Sequence, residues 1–540
     1  MSLRRQRPSL AVVVVCSALV AALAVRAPAA LQSQPGFDLE EATIAALQRR
    51  MADGQDTART LAEKYLARIA ALDRQGPSLR SIIELNPDAL AIADQLDAER
   101  KARGPRGPLH GIPIVIKDNI ATADRMMTTA GSLALVGVKP ARDAFIVTRL
   151  RNAGAVILGK TNLSEWANFR SPRSTSGWSA RGGQTRNPYA LDRSPSGSSS
   201  GSGAAVAANF AAAAVGTETS GSIISPSQVN GLVGIKPTVG LLSRTGIVPI
   251  SHTQDTPGPM ARTVADAVAL LNVMAGPDPD DKETGHERAP DYTRFLDVNG
   301  LKGARIGVVR KRLFGNNPDV DRIAEKAIAD LKARGAVIVD PADIATLGTF
   351  DDAELEVLLY EFKANVNKYL AALGPAAPVH SLKDVIDFNE AHRDEELKYF
   401  GQELFLMAEA AGPLTSPTYT RARVDAWGYA GTYGIDGVMS KYQLDALVAP
   451  TGGPAGLIDL ARGDDGNSTL PGLAGIAAVA GYPHITVPAG FVNGLPVGIS
   501  FVGRAWSEPT LIRLAYDYEQ ATKHRRAPTF AATAEQPAAR

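Results

Sequence analysis

The chain has 540 residues, with 57 lysines and arginines against 56 aspartates and glutamates, 45% hydrophobic and 21% charged residues. That length allows a large buried core, and that composition is ordinary for a globular protein and wrong for a disordered one. A formal charge of +1 with no basic stripe argues against a nucleic-acid-binding surface.

The first thirty residues stand apart. MSLRRQRPSL gives a basic start, an apolar run extends from Leu10 to Val25, and the small residues of RAPAA follow. This is the order of a secretory signal peptide over residues 1–30. The apolar run is shorter than the roughly 20 residues a bilayer span takes. Cleavage is therefore expected over an uncleaved anchor, with an extracytoplasmic mature protein, periplasmic or secreted, and no stable membrane association afterwards. Cys16, the only cysteine, lies in this segment. A mature chain without a thiol has no disulfide, no cysteine metal site and no cysteine nucleophile.

Residues 32–36 read as a linker. From Phe37 the apolar spacing becomes helical in LEEATIAALQRRM, TARTLAEKYLARIAAL and PDALAIADQLDAERKARG, the last closed by Gly104. GIPIVIKDNI is a short buried strand. FIVTRLRNAG is a helix ended by Gly154, followed by the strand AVIL. LKGARIGVVR, DRIAEKAIADLKARG and AVIVD form a β-α-β set. LDALVAPT, HITVPAGF and LPVGISFVG are late strands, and SEPTLIRLAYDYEQATK is a closing helix. Residues 350–435 are richly helical and fit a cap over a pocket. This alternation predicts an α/β layered fold. The polar stretch GPDPDDKETGHERAPDY, with His286, reads as a solvated loop between front and back halves of one sheet. Its acids lack metal-ligand spacing.

Two motifs suggest other chemistry. GAVILGKT, Gly154 to Thr161, has Walker A spacing, which would make a P-loop nucleotide binder. A P-loop needs a loop after one strand, whereas Ala-Val-Ile-Leu favours a strand itself, with Lys160 as a surface lysine just past it. GSSSG, Gly197 to Gly201, matches a nucleophile elbow centred on Ser199. The polar, proline-bearing LDRSPS before it is no buried strand, and none of His252, His286, His380, His392, His484 or His524 announces itself as a base. Arg262 and Asp266 read as structural, with Thr263 and Asp266 forming a capping-box pattern.

A serine needs a base at neutral pH. A lysine serves if burial disfavours its charged form. Lys117 ends the apolar run IPIVIK, and a lysine there either stays buried or emerges into water at the strand end.

IPIVIKDN, SPSGSSSGSGAAVA, GTETSGSIISP and GLVGIKPTVG, in this order and spacing, resemble the amidase signature family. GKTNLSEWA, DTPGPMARTVADA, GYPHITVPAG and GLPVGISFVG extend the likeness over nearly all of residues 38–525. The stretch from Gly177 to Thr263 is most similar to the family's peptide amidases. The resemblance implies a single α/β domain, residues 37–530, with a central mixed β-sheet covered by helices on both faces. It implies a Ser–cis-Ser–Lys triad, with Ser222 as nucleophile and Ser198 passing its proton to neutral Lys117. The backbone N–H groups of Thr219, Ser220, Gly221 and Ser222 then form the oxyanion hole. Carboxamides of small molecules or short peptides would be hydrolysed to acid and ammonia through an acyl-enzyme, without metal or cofactor. The alternatives are a broad-specificity small-amide amidase and, against the signal peptide, a cytoplasmic amidotransferase-type subunit. The serine cluster departs from the family's common form: Ser196 and Ser200 replace glycines, and Ser220 stands where glycine or aspartate is usual.

Overall fold

The computed structural model describes Ser2 and residues 37–285, 291–466 and 472–535. Apart from Ser2, the proposed signal peptide lies outside them, as do Cys16 and His286. A short leading unit, residues 1–40, includes a turn in which the Glu40 N–H donates to Phe37 O at 2.8 Å; the main unit is residues 41–540.

The main unit is a mixed α/β fold built on one large sheet. Its strands in chain order are β1 (Ile82–Leu85), β2 (Pro113–Lys117), β3 (Val156–Thr161), β6 (Ala213–Glu218), β7 (Val233–Lys236), β8 (Thr256–Ala261), β9 (Arg305–Val308), β10 (Val337–Val339), β11 (Ala446–Pro450), β12 (His484–Val492) and β13 (Leu495–Val502). Two short strands, β4 (Trp178–Ser179) and β5 (Gly183–Gln184), pair apart from it. The spatial order is β1-β3-β2-β6-β8-β7-β12-β13-β11-β9-β10. β2 runs parallel to β3 and β6, whereas β6, β8, β7, β12, β13 and β11 follow one another antiparallel. β2, β3 and β6 are buried along their whole length, so even the polar residues at their ends, Lys117, Lys160 and Thr161, Thr217 and Glu218, lie inside the molecule.

Helices flank the sheet. Val264–Met274 packs on β8 and against Glu508–Thr522, which also packs on β12. The Thr263 hydroxyl caps the first of these by accepting from the Asp266 N–H at 3.1 Å. Asp266 does not complete the expected capping box. Its carboxylate accepts from the Ile44 N–H at 3.0 Å instead, and buried Arg262 binds the carbonyls of Ala42, Val206 and Ala211. Both residues are structural, as read from the sequence.

The polar stretch after Met274 does separate β8 from β9, and both strands belong to one sheet. Its described part over residues 277–285 is mostly exposed, as expected of a solvated loop, with two anchoring points. Asp278 and Asp281 are buried because Ser243 and Arg244 supply hydrogen bonds to their carboxylates. Residues 350–435 carry the helices Asp351–Ala372, Leu382–Ala391, Arg393–Glu396, Glu403–Ala410 and Pro417–Trp427. Phe362, Phe405 and Leu382 from this region share a core with Trp166 and Phe169. An ion cluster fastens the same junction. Fully buried Arg170 lies 2.9 Å from Glu165 and 3.4 Å from Glu396, and 4.2 Å over the Phe400 ring. Burial, with Glu396 alongside, holds the Glu165 carboxyl well above the usual carboxylate range. Among the described residues no helix is long and apolar enough to cross a membrane.

Candidate active site

Lys117 ends β2 inside the molecule rather than in water, with 0% exposure. Its Nζ donates to Ser198 Oγ at 2.7 Å, to Thr217 Oγ1 at 2.8 Å and to Thr217 O at 3.2 Å. Because β2 and β6 are parallel neighbours, Thr217 on β6 reaches the lysine at the end of β2. Asn119 donates to the same Thr217 hydroxyl at 3.0 Å. Burial pulls the Lys117 pKa down to about 7, against the opposing pull of Asp255 and Glu218. The lysine is thus poised to exchange a proton near neutrality.

Ser198 is fully buried and follows a cis peptide bond, Gly197–Ser198. The remaining serines of the cluster brace the loop. Ser199 Oγ donates to Thr217 O at 3.0 Å, Ser200 Oγ to Ser196 O at 2.6 Å, and Ser202 shares a hydrogen bond with Thr161 at 2.8 Å. Ser196 adopts a left-handed φ of 57°, the conformation a glycine would take without strain, and its hydroxyl pairs with Ser225 at 2.7 Å. Ser196 and Ser200 therefore tie the loop to itself and to the helix Ile224–Val229. Gly201 has no such freedom: a Cβ there would come within 2.3 Å of Ser81 O and 2.5 Å of Asn162 O. The elbow reading of Ser199 fails, since no strand precedes it and its hydroxyl is spent on the β6 backbone.

The third element is the turn from Thr217 to Ile224, between β6 and the helix Ile224–Val229. Glu218 organises it from beneath: one carboxylate oxygen accepts from the N–H groups of Ile223 at 2.7 Å and Ile224 at 3.0 Å. Burial raises the Glu218 carboxyl, and nearby Lys236 together with these N–H groups and that of Gly221 opposes the rise. Asp255 accepts from the Thr219 hydroxyl at 2.6 Å, and Gln254 donates to Thr219 O at 3.2 Å. Gly221 takes a φ of 84°, which turns the chain sharply before Ser222. Ser222 is 9% exposed, and its carbonyl accepts from the Ser199 N–H at 3.2 Å. The structure thus hydrogen-bonds Lys117 to Ser198 and sets Ser222 against the serine loop. It forms no Ser198–Ser222 side-chain bond, and among the described residues the Ser222 hydroxyl has no hydrogen-bond partner. The supporting groups Thr217, Glu218, Asn119 and Asp255 lay inside the quoted motifs, but nothing in their spacing marked them as partners of the lysine.

Lys160 departs from expectation. It lies within β3, wholly buried, and donates to Ile120 O at 2.6 Å and Thr128 Oγ1 at 2.8 Å. Burial lowers its pKa to about 8, with Asp118 opposing. Val156–Thr161 is therefore strand, not phosphate loop, and its lysine is a structural cation rather than a surface one. Of the candidate histidines, His484 is buried on β12 against Ser500, where burial drives its pKa down to about 3.

Two cavities flank the Thr217–Gly221 backbone. One, of about 380 Å³, is walled by Gly197, Ser220, Gly221, Ser176, Thr451 and Asp464. The other, of about 360 Å³, is walled by Asn119, Thr217, Thr219 and Asp255, with Asn365 and Tyr369 from the helix Asp351–Ala372. From the helical region, the helix Asp351–Ala372 lines this second cavity.

The family model described as Amidase matches residues 60–512. A probable amidase of Arabidopsis thaliana is 43% identical over 508 residues, covering 92% of this chain and 93% of the relative. The native peptide amidase from Stenotrophomonas maltophilia is 54% identical with a TM-score of 0.87, covering 92% of this chain and 100% of that one. The peptide amidase PAM in complex with the competitive inhibitor chymostatin is equally similar, at 54% identity and a TM-score of 0.87 over 91% of this chain and 99% of that one. The chain belongs to the amidase signature family. It is a hydrolase acting on amide C–N bonds, close to peptide amidase structures.

Proposed function

We propose that the protein is an exported serine amidase that removes ammonia from the C-terminal carboxamide of short peptides. The observation that carries the chemistry is the buried Lys117 Nζ, 2.7 Å from Ser198 Oγ, with a pKa drawn to about 7. A neutral lysine there accepts the Ser198 proton as Ser198 takes that of Ser222. Ser222 Oγ attacks the amide carbon. The backbone N–H groups of Thr219, Ser220, Gly221 and Ser222 receive the oxyanion. Collapse breaks the C–N bond, and the proton returns through Ser198 to the departing ammonia. Water then attacks the acyl ester by the same relay and releases the acid.

The peptide part of the reading rests on likeness to peptide amidases over nine-tenths of the chain. The test compares a short peptide amide, the same peptide with a C-terminal extension, and benzamide. Ammonia is expected from the first at a rate at least tenfold above benzamide, a margin one or two well-placed side-chain contacts supply. Faster turnover of benzamide would favour a broad small-amide enzyme, and cleavage inside the extended peptide would mean an open groove.

Export rests on the basic start, the apolar run Leu10–Val25 and the small residues after it. N-terminal sequencing of protein from the native host is expected to begin between residues 25 and 31. An intact Met1 on a cytoplasmic protein would overturn it.

A further inference from the structure

We infer that Asp255 is a positioning residue for the amidase reaction, holding the Thr219–Ser222 turn through the Thr219 hydroxyl and sustaining the basicity of Lys117. The inference rests on the reading of Lys117 as the base.

Asp255 immediately precedes β8. Glu218 pairs with Thr256 across the β6–β8 ladder, so Asp255 arrives beside Thr219 at the point where β6 ends. Its carboxylate is fixed from two sides. One oxygen accepts from the N–H groups of Ile250 at 2.8 Å and Ser251 at 2.9 Å. The other accepts from Thr219 Oγ1 at 2.6 Å. Thr219 thus has its side chain tied to a rigid strand entry, and its backbone N–H, the first of the four proposed oxyanion donors, is aimed by that tie. Such donors work because they are set before charge develops.

The charge of Asp255 acts on Lys117. The charged groups facing the lysine are Asp255, before β8, and Glu218, on β6. Glu218 is engaged by the turn it organises and by Lys236 from β7. Asp118, next in chain to Lys117, is turned toward Thr129 and Arg181. Around Asp255 itself stand Arg244, which pairs with Asp281, and Asp280, which pairs with Arg142. His252, in the same cavity wall, lies against Glu361 and Asn365. Burial raises the Asp255 carboxyl, while the Thr219 hydroxyl and the N–H groups of Ile250 and Ser251 favour its ionised form. Its negative charge in turn favours the Lys117 ammonium. A buried lysine stripped of that charge is a weaker base. It takes the serine proton less readily, and the proton must also be held long enough to return to the leaving ammonia.

The two effects separate by mutation. In Asp255→Asn the carboxamide oxygen still accepts from Ile250 and Ser251, and its NH2 donates to a reversed Thr219 hydroxyl, so shape is kept and charge removed. Thr219→Val keeps the charge and removes the tie. The measurements are kcat and KM of each full-length variant against pH, with a thermal melt. Asp255→Asn is expected to move the acid limb of kcat down by about one pH unit, the size of a close charge effect. Thr219→Val is expected to lower kcat about tenfold with KM and the acid limb unchanged, less than the loss of a whole oxyanion donor. An unmoved limb in a folded Asp255→Asn, or wild-type kcat in Thr219→Val, overturns the inference. If Lys117→Met is inactive and the Asp255→Asn limb is unmoved, only this inference fails. An active Lys117→Met removes the base reading beneath it.

Discussion

Ser222→Ala is expected to lower kcat on a peptide amide by on the order of 10^4 to 10^6, as loss of a nucleophile from a coupled set does. Without Ser222 Oγ no acyl ester forms, and what remains is hydrolysis aided by binding and the oxyanion donors alone. KM should stay within a few-fold, because a single hydroxyl contributes little uniform binding. The fold should survive: Ser222 is small, 9% exposed, and its one backbone contact, the carbonyl that accepts from Ser199, is untouched. Thermal melts of variant and wild type should coincide. A hydroxylamine trap should capture the acyl group from wild type and none from Ser222→Ala. Turnover within tenfold of wild type would remove Ser222 from the mechanism.

Lys117→Met is expected to cost about 10^2 to 10^4 in kcat, the range spanned by general acid–base catalysis. Methionine fills much of the lysine's space, so the loss is of proton transfer more than packing, although Ser198 and Thr217 lose a shared donor. Ser198→Ala should be comparably impaired, since the relay is broken one atom earlier. The sign of the pH dependence follows from the base having to be neutral. With Lys117 at about 7, wild-type activity should be low in mild acid, rise through neutrality and stay high in the alkaline range. The acid limb should vanish from the residual activity of Lys117→Met and persist in Lys160→Met. Lys160 also has a lowered pKa, but its Nζ is committed to Ile120 and Thr128. An acid limb retained in Lys117→Met would assign it to another group.

The two lysines show what residue patterns carry and what they do not. Both follow apolar runs, and both are wholly buried. Position along a strand cannot separate a lysine that reaches water from one that ends on another strand's hydroxyl, because the partner, Thr217, is supplied by a crossover 100 residues away. Only the ordered likeness of several motifs distinguished Lys117. Helices with clear apolar spacing, such as Ala58–Leu72 and Pro318–Ala333, appear where periodicity places them. β6, β7 and β8 were not legible as strands. β6 reads AAVGTE and β8 reads TPGPMA, poor in β-branched residues, and prolines are rare in central strands. β8 nevertheless sits between β6 and β7, with Pro257 opposite Thr217 and Pro259 opposite Val215. Tertiary pairing overrides propensity there, and the signature motifs sit where it does so.

The place of β12 and β13 in the sheet bears on how the chain comes to be folded at all. These are the last two strands of the sheet in chain order, yet they lie inside it, joining β7 to β11. Until residues 484–502 leave the ribosome, β7 has an open edge and β11 has no neighbour on one side. Between the emergence of β11 and that of β12 the nascent chain carries two incomplete half-sheets, with unpaired edges of the kind that template aggregation. Closing them depends on contacts some 250 residues apart, such as Ile235 with Ile485, which topology makes slow. The protein is thus expected to lean on chaperones until its final strands arrive. Ending the chain before His484 would take out the keystone of the sheet, although both proposed catalytic serines and the lysine would remain in the chain.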